Sequence, residues 1–316
     1  MDHVVNHGQA VIEKGSSSFA AAAKLFDPAT RGRAYMLYAW CRHCDDETDD
    51  QELGFDGSRL PQEEGRARVD RLRAETLRAL SGEPMDDPIF AGLQRVAADC
   101  DMPHHYPMEH LDGFVMDVEG REYQILDDTV EYCYHVAGVV GLMMAYIMGV
   151  RDEPTLDRAT DLGLAFQLTN ICRDVVEDAG VGRVYVPLDW LTAAGVPADR
   201  VAAPEHRGAV FEVVRKILFE ADRYYASAWL GISQLPPEEG RARVDRLRAE
   251  TLRALSGEPM DDPIYAGLQR AVADCDMPHR YPLEHLDGFV MDVEGREYRH
   301  SVTRWSTATT SPGWSG

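Results

Sequence analysis

Two dense acidic clusters sit inside apolar sequence, and no other feature restricts the fold and its chemistry as much. The first is Asp45-Asp46-Glu47-Thr48-Asp49-Asp50, at the end of the stretch Tyr35–Cys44. The second runs from Asn170 to Asp178 and holds Arg173, Asp174, Glu177 and Asp178. Each contains D-x-x-x-D, as Asp45/Asp49 and Asp174/Asp178. On a helix, residues four apart share a face, with Cβ atoms ~5–6 Å apart. Like charges so close repel, and one Arg per cluster, Arg42 or Arg173, cannot offset them. Leu37, Tyr38 and Trp40 precede the first cluster, and Leu162, Leu164 and Leu168 crowd the second. Acids set in apolar helices are destabilising unless they are paired or bind a metal. One such motif alone is also what an ordinary solvated helix face looks like; two together predict hard divalent cations on oxygen ligands.

Mg²⁺ takes one or two carboxylates and completes its shell with water and phosphate oxygens. Two facing acidic helices therefore suit a Mg²⁺–diphosphate held between them. Gln167 and Asn170 lie on the same face upstream of Asp174 and can add amide oxygens or hold coordinated waters. Arg42 and Arg173 suit phosphate oxygens.

Around these clusters the texture is helical throughout. Apolar residues recur at three- and four-residue spacing, and alternating Val/Ile/Thr runs are scarce. The spacing predicts helices over Pro28–Asp50, Glu63–Leu80, Asp87–Cys100, Met108–Tyr123, Val130–Val150, Thr155–Glu177 and Glu205–Leu235. Clusters such as Ser81-Gly82-Glu83-Pro84 separate them. This pattern predicts an all-α bundle with short connections. With 316 residues, 45% of them hydrophobic, a sizeable core is available. The net charge of −22 argues against nucleic acid as a partner. Nearly all the basic residues are Arg, the Lys being Lys14, Lys24 and Lys216. A high-salt setting and Arg-favouring codon usage explain that bias equally well.

The six Cys are scattered, which fits a reduced, cytoplasmic setting better than a disulfide framework. Cys41 and Cys44 form a C-x-x-C, but no second pair completes a zinc site. Asp2, His3 and Glu13 break any apolar leader. The most apolar run, Val136–Val150, is shorter than the ~20 residues a membrane span needs, so it reads as a core helix.

Leu60–Tyr123 recurs as Leu235–Tyr298, offset by 175 residues. Only six positions differ, among them Gln62/Pro237, Phe90/Tyr265, His105/Arg280 and Met108/Leu283. Solenoid repeats are shorter and diverge between units; one partial near-copy points to recent recombination. Leu-Pro opens both copies. The tail Arg299–Gly316 turns abruptly to Ser, Thr and Trp. Back-translated and shifted by one nucleotide, Trp305–Gly316 reads, with permitted codons, as Val130–Gly141, at the same offset of 175. The copying evidently continued and its frame slipped after Tyr298. A tail never selected as protein is expected to be disordered.

Five strings carry a family resemblance: Ser16-Ser17-Ser18-Phe19; LYAWCRHCDDETDD (Leu37–Asp50); GFVMDVEGREY (Gly113–Tyr123); EYCYHVAGVVG (Glu131–Gly141); and LGLAFQLTNICRDVVEDAGVGRVYVP (Leu162–Pro187). Over roughly its first 234 residues the chain resembles bacterial phytoene synthases, within the squalene/phytoene synthase family. The resemblance implies an isoprenoid-synthase-like helical bundle with a central cavity. It implies a prenyl diphosphate substrate, two molecules of geranylgeranyl diphosphate, joined head to head through a cyclopropyl diphosphate to phytoene. Mg²⁺ is the implied ion, with Mn²⁺ as a substitute, and no NADPH is needed. A hydrocarbon product implies peripheral membrane contact; nothing in the pattern sets an oligomeric state.

By the same resemblance, Asp45, Asp49, Asp174 and Asp178 match the metal-binding aspartates, and Gln167 and Asn170 their supporting polar pair. Ser16, Ser18, Tyr38, Arg42, Arg183 and Tyr185 match positions that contact diphosphate or line the reaction centre; Phe19, beside Ser18, and Arg173 are further candidates for binding substrate. Tyr132, Val136, Ala137, Val140 and Gly141 match the cavity-wall helix, where small residues such as Ala137, Gly138 and Gly141 are expected to leave room for prenyl chains as well as to pack the core. Tyr faces can stabilise a passing cation, and a dry cavity protects it.

The resemblance stops near Leu235. The family's closing helices are replaced by the near-copy, residues 235–298, and the out-of-frame tail, residues 299–316, so the C-terminal helices are expected to be atypical. No second acidic pair accompanies the copy, so no second active site is expected. Losing native closing helices would expose apolar area; ~500 Å² at ~25 cal/mol per Å² rivals a protein's net stability. The expectation is impaired activity, which an ordinary rate of phytoene formation would contradict. The alternatives are a squalene or dehydrosqualene synthase, and a non-catalytic recombination product.

Overall fold

In a computed structural model, residues 2–49 and 61–232 are described, together with Leu252, Arg253 and Ser256. For Ser17, Ser18 and Asp49 only the backbone is described. Apart from those three isolated residues, the near-copy lies outside the described residues, as does the whole tail.

Among the described residues all regular structure is helical. Helix α1 (His3–Gly15) starts where the Asp2 carboxylate accepts from the Val4 amide, which satisfies one of the helix's free N–H groups. Ser16 does the same for α2 (Ser17–Ala23), accepting from the Phe19 amide at 3.3 Å. Then follow α3 (Pro28–Asp49), α4 (Gln62–Leu80), α5 (Pro88–Cys100) and α6 (His105–Glu119). Helix α7 (Leu126–Cys133) continues through a π-helical turn, Tyr134–Gly138, into α8 (Val139–Ile147). The longest is α9 (Glu153–Gly180), capped by Asp152 and started by Pro154, which suits a first turn because its N–H is not needed there. A short α10 (Leu188–Ala193) and α11 (Arg207–Ile232) complete the set.

Seven helices fall where the spacing predicts them, with shifted ends. Helix α6 stops at Glu119, not at Tyr123, because Gly120 turns the chain into the left-handed region at φ 65°. The helix expected from Val130 begins at Leu126, where the Asp128 carboxylate accepts from the Gln124 and Ile125 amides. The spacing misses α1, α2 and α10. The last two have only seven and six residues, too few for a period to show.

The core has two main parts. Trp40, Leu37, Leu93, Val96, Leu111, Val139 and Met143 build the first, between α3, α4, α5, α6 and α8. Leu164, Leu168, Ile171, Tyr132, Cys133, Val213 and Ile217 build the second, between α7, α9 and α11. The continuous helix Leu126–Ile147 joins them, giving Tyr132 and Cys133 to one and Val139 to Ile147 to the other. At 22 residues it is long and apolar enough to cross a membrane, longer than the apolar run alone suggests. Val139, Met143 and Cys133 are nonetheless fully buried within the protein, as a core helix requires.

Small residues let this helix meet α9 at backbone distance. A Cβ on Gly141 would fall 2.2 Å from the Ala159 carbonyl oxygen, and one on Gly163 2.2 Å from that of Ala137. A Cβ on Gly138 would face side chains instead, Thr160 of α9 and Tyr134 of its own helix, each at 3.2 Å. The side on which Gly138 and Gly141 lack a Cβ is thus filled by α9. That corrects the expectation that their smallness leaves room for prenyl chains there.

Candidate active site

The two acidic motifs end two different helices. Asp45 and Asp46 lie in the last turns of α3, which packs on α1, α5 and α4; Asp174 and Asp178 lie near the end of α9, which packs on α11 and α8. The helices that carry them pack mainly into different parts of the core.

On α3, Arg42 donates to Asp45 and lies 3.9 Å from Asp46. Its guanidinium sits 5.9 Å from the Tyr38 ring centre. Burial works against the Arg42 charge, but Asp45, the Tyr38 hydroxyl and Asp46 outweigh it and hold the group above its ordinary value. Two buried polar atoms here have no partner: Arg42 Nε and Tyr38 Oη. Phe19, half exposed, meets the Tyr38 ring edge-on at 6.0 Å. The Ser16 hydroxyl caps α2 beside them. The side chains of Ser18 and Asp49 lie outside the described atoms.

On α9, Asn170 donates to Gln167 Oε1 at 3.3 Å. Arg173 grips Asp174 with two bonds, from Nε at 2.6 Å and from a terminal nitrogen at 2.5 Å. Its bond to Asp174 raises the Arg173 guanidinium above its ordinary value, with Asp178 and Glu177 adding to the effect. Just beyond α9 the chain folds back, the Arg183 amide donating to the Asp178 carbonyl at 2.8 Å.

That return leads into an aromatic cluster. Tyr132 and Tyr185 stack with ring centres 4.7 Å apart and planes 20° from parallel. Tyr123 leans on both, at 5.4 and 5.8 Å. Both stacked tyrosines donate to one carboxylate: Tyr132 to Asp117 Oδ2 at 2.9 Å, Tyr185 to Oδ1 at 2.8 Å. The Thr129 hydroxyl bonds the Tyr185 carbonyl at 2.9 Å, strapping this segment to α7. The Leu188 and Asp189 amides bond the Tyr123 and Gln124 carbonyls, holding it against the end of α6. Burial, then the Asp117 charge, pushes the Tyr132 and Tyr185 hydroxyls well above their ordinary range, so both remain protonated. Val136 and Ala137 lie in the π-helical turn one turn beyond Tyr132, followed by Val140 and Gly141, all partly buried. A π turn inside an α-helix is a frequent mark of a functional site.

Among the described residues no three acidic, His or Cys side chains converge into a ready-made metal cage. The donor set instead fits an ion that brings its own anionic ligand. Carboxylates stand on separate helices, arginines sit beside them, and unpartnered phenol and guanidinium donors are buried next to Asp45. Two surface clefts, one between Trp190 and Phe219 and one along Glu153–Asp161, contain no residue of either acidic motif.

The family profile for squalene/phytoene synthase matches residues 12–243 and 233–306. The chain belongs to the squalene/phytoene synthase family. It is 51% identical over 234 residues to the phytoene synthase of Pseudescherichia vulneris, covering 74% of this chain and 76% of that one. It is 52% identical over 233 residues to the 15-cis-phytoene synthase of Pantoea ananas, covering 74% and 75%. A dehydrosqualene synthase solved with a ligand has the same fold, with a TM-score of 0.68 at 23% identity, over 92% of this chain and 97% of that one. So does squalene synthase HpnC from Alicyclobacillus acidocaldarius, at 0.66 and 24%, over 84% and 93%. The second stretch matched by the family profile contains the near-copy of residues 60–123.

Within this family member, the structure brings Tyr38, Arg42 and Asp45 together, and separately Tyr132 and Tyr185 with Arg183 alongside. Sequence reasoning passes over Asp117 and Tyr123 as site residues. Both lie in the string Gly113–Tyr123 that marks the family, which is the signal that could have found them.

Proposed function

We propose that this chain joins two geranylgeranyl diphosphates head to head and converts the cyclopropyl diphosphate so formed to phytoene. The observation that carries the reading is 51–52% identity over 233–234 residues to proteins named as phytoene synthases. Asp45, Asp49, Asp174 and Asp178 would hold Mg²⁺, with Mn²⁺ as a substitute, and Gln167 and Asn170 would support it. When bound, the ion supplies charge to offset the departing diphosphate. Arg42, Tyr38, Ser16, Ser18 and Arg173 orient that diphosphate. Arg42 Nε and Tyr38 Oη, unpartnered and buried, gain acceptors when it binds. Phe19 packs beside Tyr38 at this end.

Tyr132, Tyr185 and Arg183 form the reaction-centre wall. The phenols stay protonated, with both hydroxyls bonded to Asp117, and present no phenolate to trap an allylic cation. Their rings offer electron-rich faces in dry surroundings. Val136, Ala137 and Val140 continue the wall along the same helix, with Gly141 packed on α9 behind them. No step in this sequence consumes a hydride, so no NADPH is required. A hydrocarbon product suits peripheral contact with a membrane.

Incubation of the full chain with labelled geranylgeranyl diphosphate and Mg²⁺, without reductant, tests the reading. Labelled phytoene, abolished by EDTA, is the expected product. Turnover of farnesyl diphosphate alone would support a squalene or dehydrosqualene synthase, and no prenyl product from either substrate would support a non-catalytic recombination product.

A further inference from the structure

We propose that Asp117 is a positioning residue of the reaction centre, acting through Tyr132 and Tyr185. This rests on the synthase reading above. Asp117 comes from α6, Tyr132 from α7 and Tyr185 from the segment after α9, so one carboxylate ties three separate parts of the chain. Each oxygen accepts one phenol proton, Oδ2 from Tyr132 at 2.9 Å and Oδ1 from Tyr185 at 2.8 Å. Hydrogen bonds to an ionised acceptor are roughly twice as strong as neutral ones.

Two consequences follow for the rings. With both hydroxyls fixed, the pair is held stacked at 4.7 Å and 20° and keeps little rotational freedom. A phenol bonded to a carboxylate is also more electron-rich, which strengthens its attraction for a cation. The oxygens are at the same time committed to Asp117 and not offered to the reacting carbons. The effect belongs to the cationic stage of the reaction, where a fixed electron-rich wall acts, and not to diphosphate binding. Tyr123, whose ring touches both partners, has a buried hydroxyl without a partner, so the cluster's hydrogen bonding centres on Asp117.

Binding of two probes to the full chain with Mg²⁺ tests this without requiring turnover. One is a non-hydrolysable prenyl thiodiphosphate; the other is a prenyl ammonium with inorganic diphosphate, which mimics the separated cation. Asp117→Asn keeps the shape but can accept only through its carbonyl oxygen. The expected result is about tenfold weaker ammonium binding, with thiodiphosphate binding within twofold of wild type. In a Tyr132→Phe/Tyr185→Phe background the same substitution is expected to change ammonium affinity less than twofold, which a merely structural role would not produce. Equal loss for both probes, no loss for either, or full additivity with the Phe changes overturns the proposal. Failure of wild type to bind either probe contradicts the synthase reading itself, and the proposal with it.

Discussion

Asp117 shows what a sequence can and cannot declare at the level of single residues. Asp45, Asp174 and Asp178 stand out because their meaning is local: spacing along one helix places the charges together. Asp117 has no acid three or four residues away along the chain, and its two partners lie 15 and 68 residues away. Only the fold brings them to it. His110 is a second residue of this kind. It is buried between Trp40 and Phe114, with Nδ1 3.1 Å from the His135 carbonyl and Nε2 unpartnered. Burial lowers its pKa from 6.5 to about 4. Between those values the unfolded chain binds the extra proton, so stability rises with pH across that window. The contribution is full above pH 6.5 and is lost as pH falls towards 4. Urea midpoints measured from pH 7 to pH 4 are expected to fall for wild type, by the equivalent of a few kcal/mol at most. The fall should be shallower for His110→Gln; an unchanged slope would show that His110 is not responsible. The Cys41 thiol is pushed up to about 12, chiefly by burial. It should react far more slowly than free cysteine with a thiol reagent at pH 8.

At the level of elements, the long amphipathic helices are legible because their periods run for several turns. Their ends are set by single residues such as Gly120 and Asp128, which periodicity does not weigh. The α8–α9 contact is legible only as a run of small residues, and its meaning reverses on inspection. Gly141 and Gly163 are small because the opposing backbone is there, not because a substrate is. Gly163→Ala is therefore expected to destabilise the protein by about 1–3 kcal/mol, as overpacking does. Gly208→Ala, in α11 with open space around its missing Cβ, should be neutral or stabilising by up to ~1 kcal/mol. Thermal melts of the two variants side by side decide this, and equal effects would contradict the packing argument. The π-helical turn at Tyr134–Gly138 has no sequence signature of its own, since the same residues also suit an ordinary α-helix.

At the level of the molecule, helical class and family are both legible in the first 234 residues, and for the remainder, a near-copy of residues 60–123 and a tail, we propose an origin in recombination. The near-copy contributes about 14 acids and 8 Arg, so the synthase-like part is strongly acidic by itself. The coding sequence, read in the alternative frame after codon 298, is expected to continue as the segment from Gln124 into the helix that begins at Leu126. Any other reading there would remove the slipped-frame origin of the tail. With that altered C-terminal third, turnover is expected to be slower than that of the Pantoea ananas enzyme assayed in parallel; equal rates would show that the family's closing helices are dispensable. The central claim is that α3 and α9 together form one Mg²⁺–diphosphate site. Its most direct test is the melting temperature of the full chain with Mg²⁺ and a prenyl thiodiphosphate, separately and together. Ligand at ~100 times its Kd stabilises by about 2.7 kcal/mol, or about 4 °C for a chain of this size. The account predicts a rise of that order only when both are present, lost in Asp45→Asn and equally in Asp174→Asn. No rise in the wild type, or a rise that survives either substitution, would contradict it.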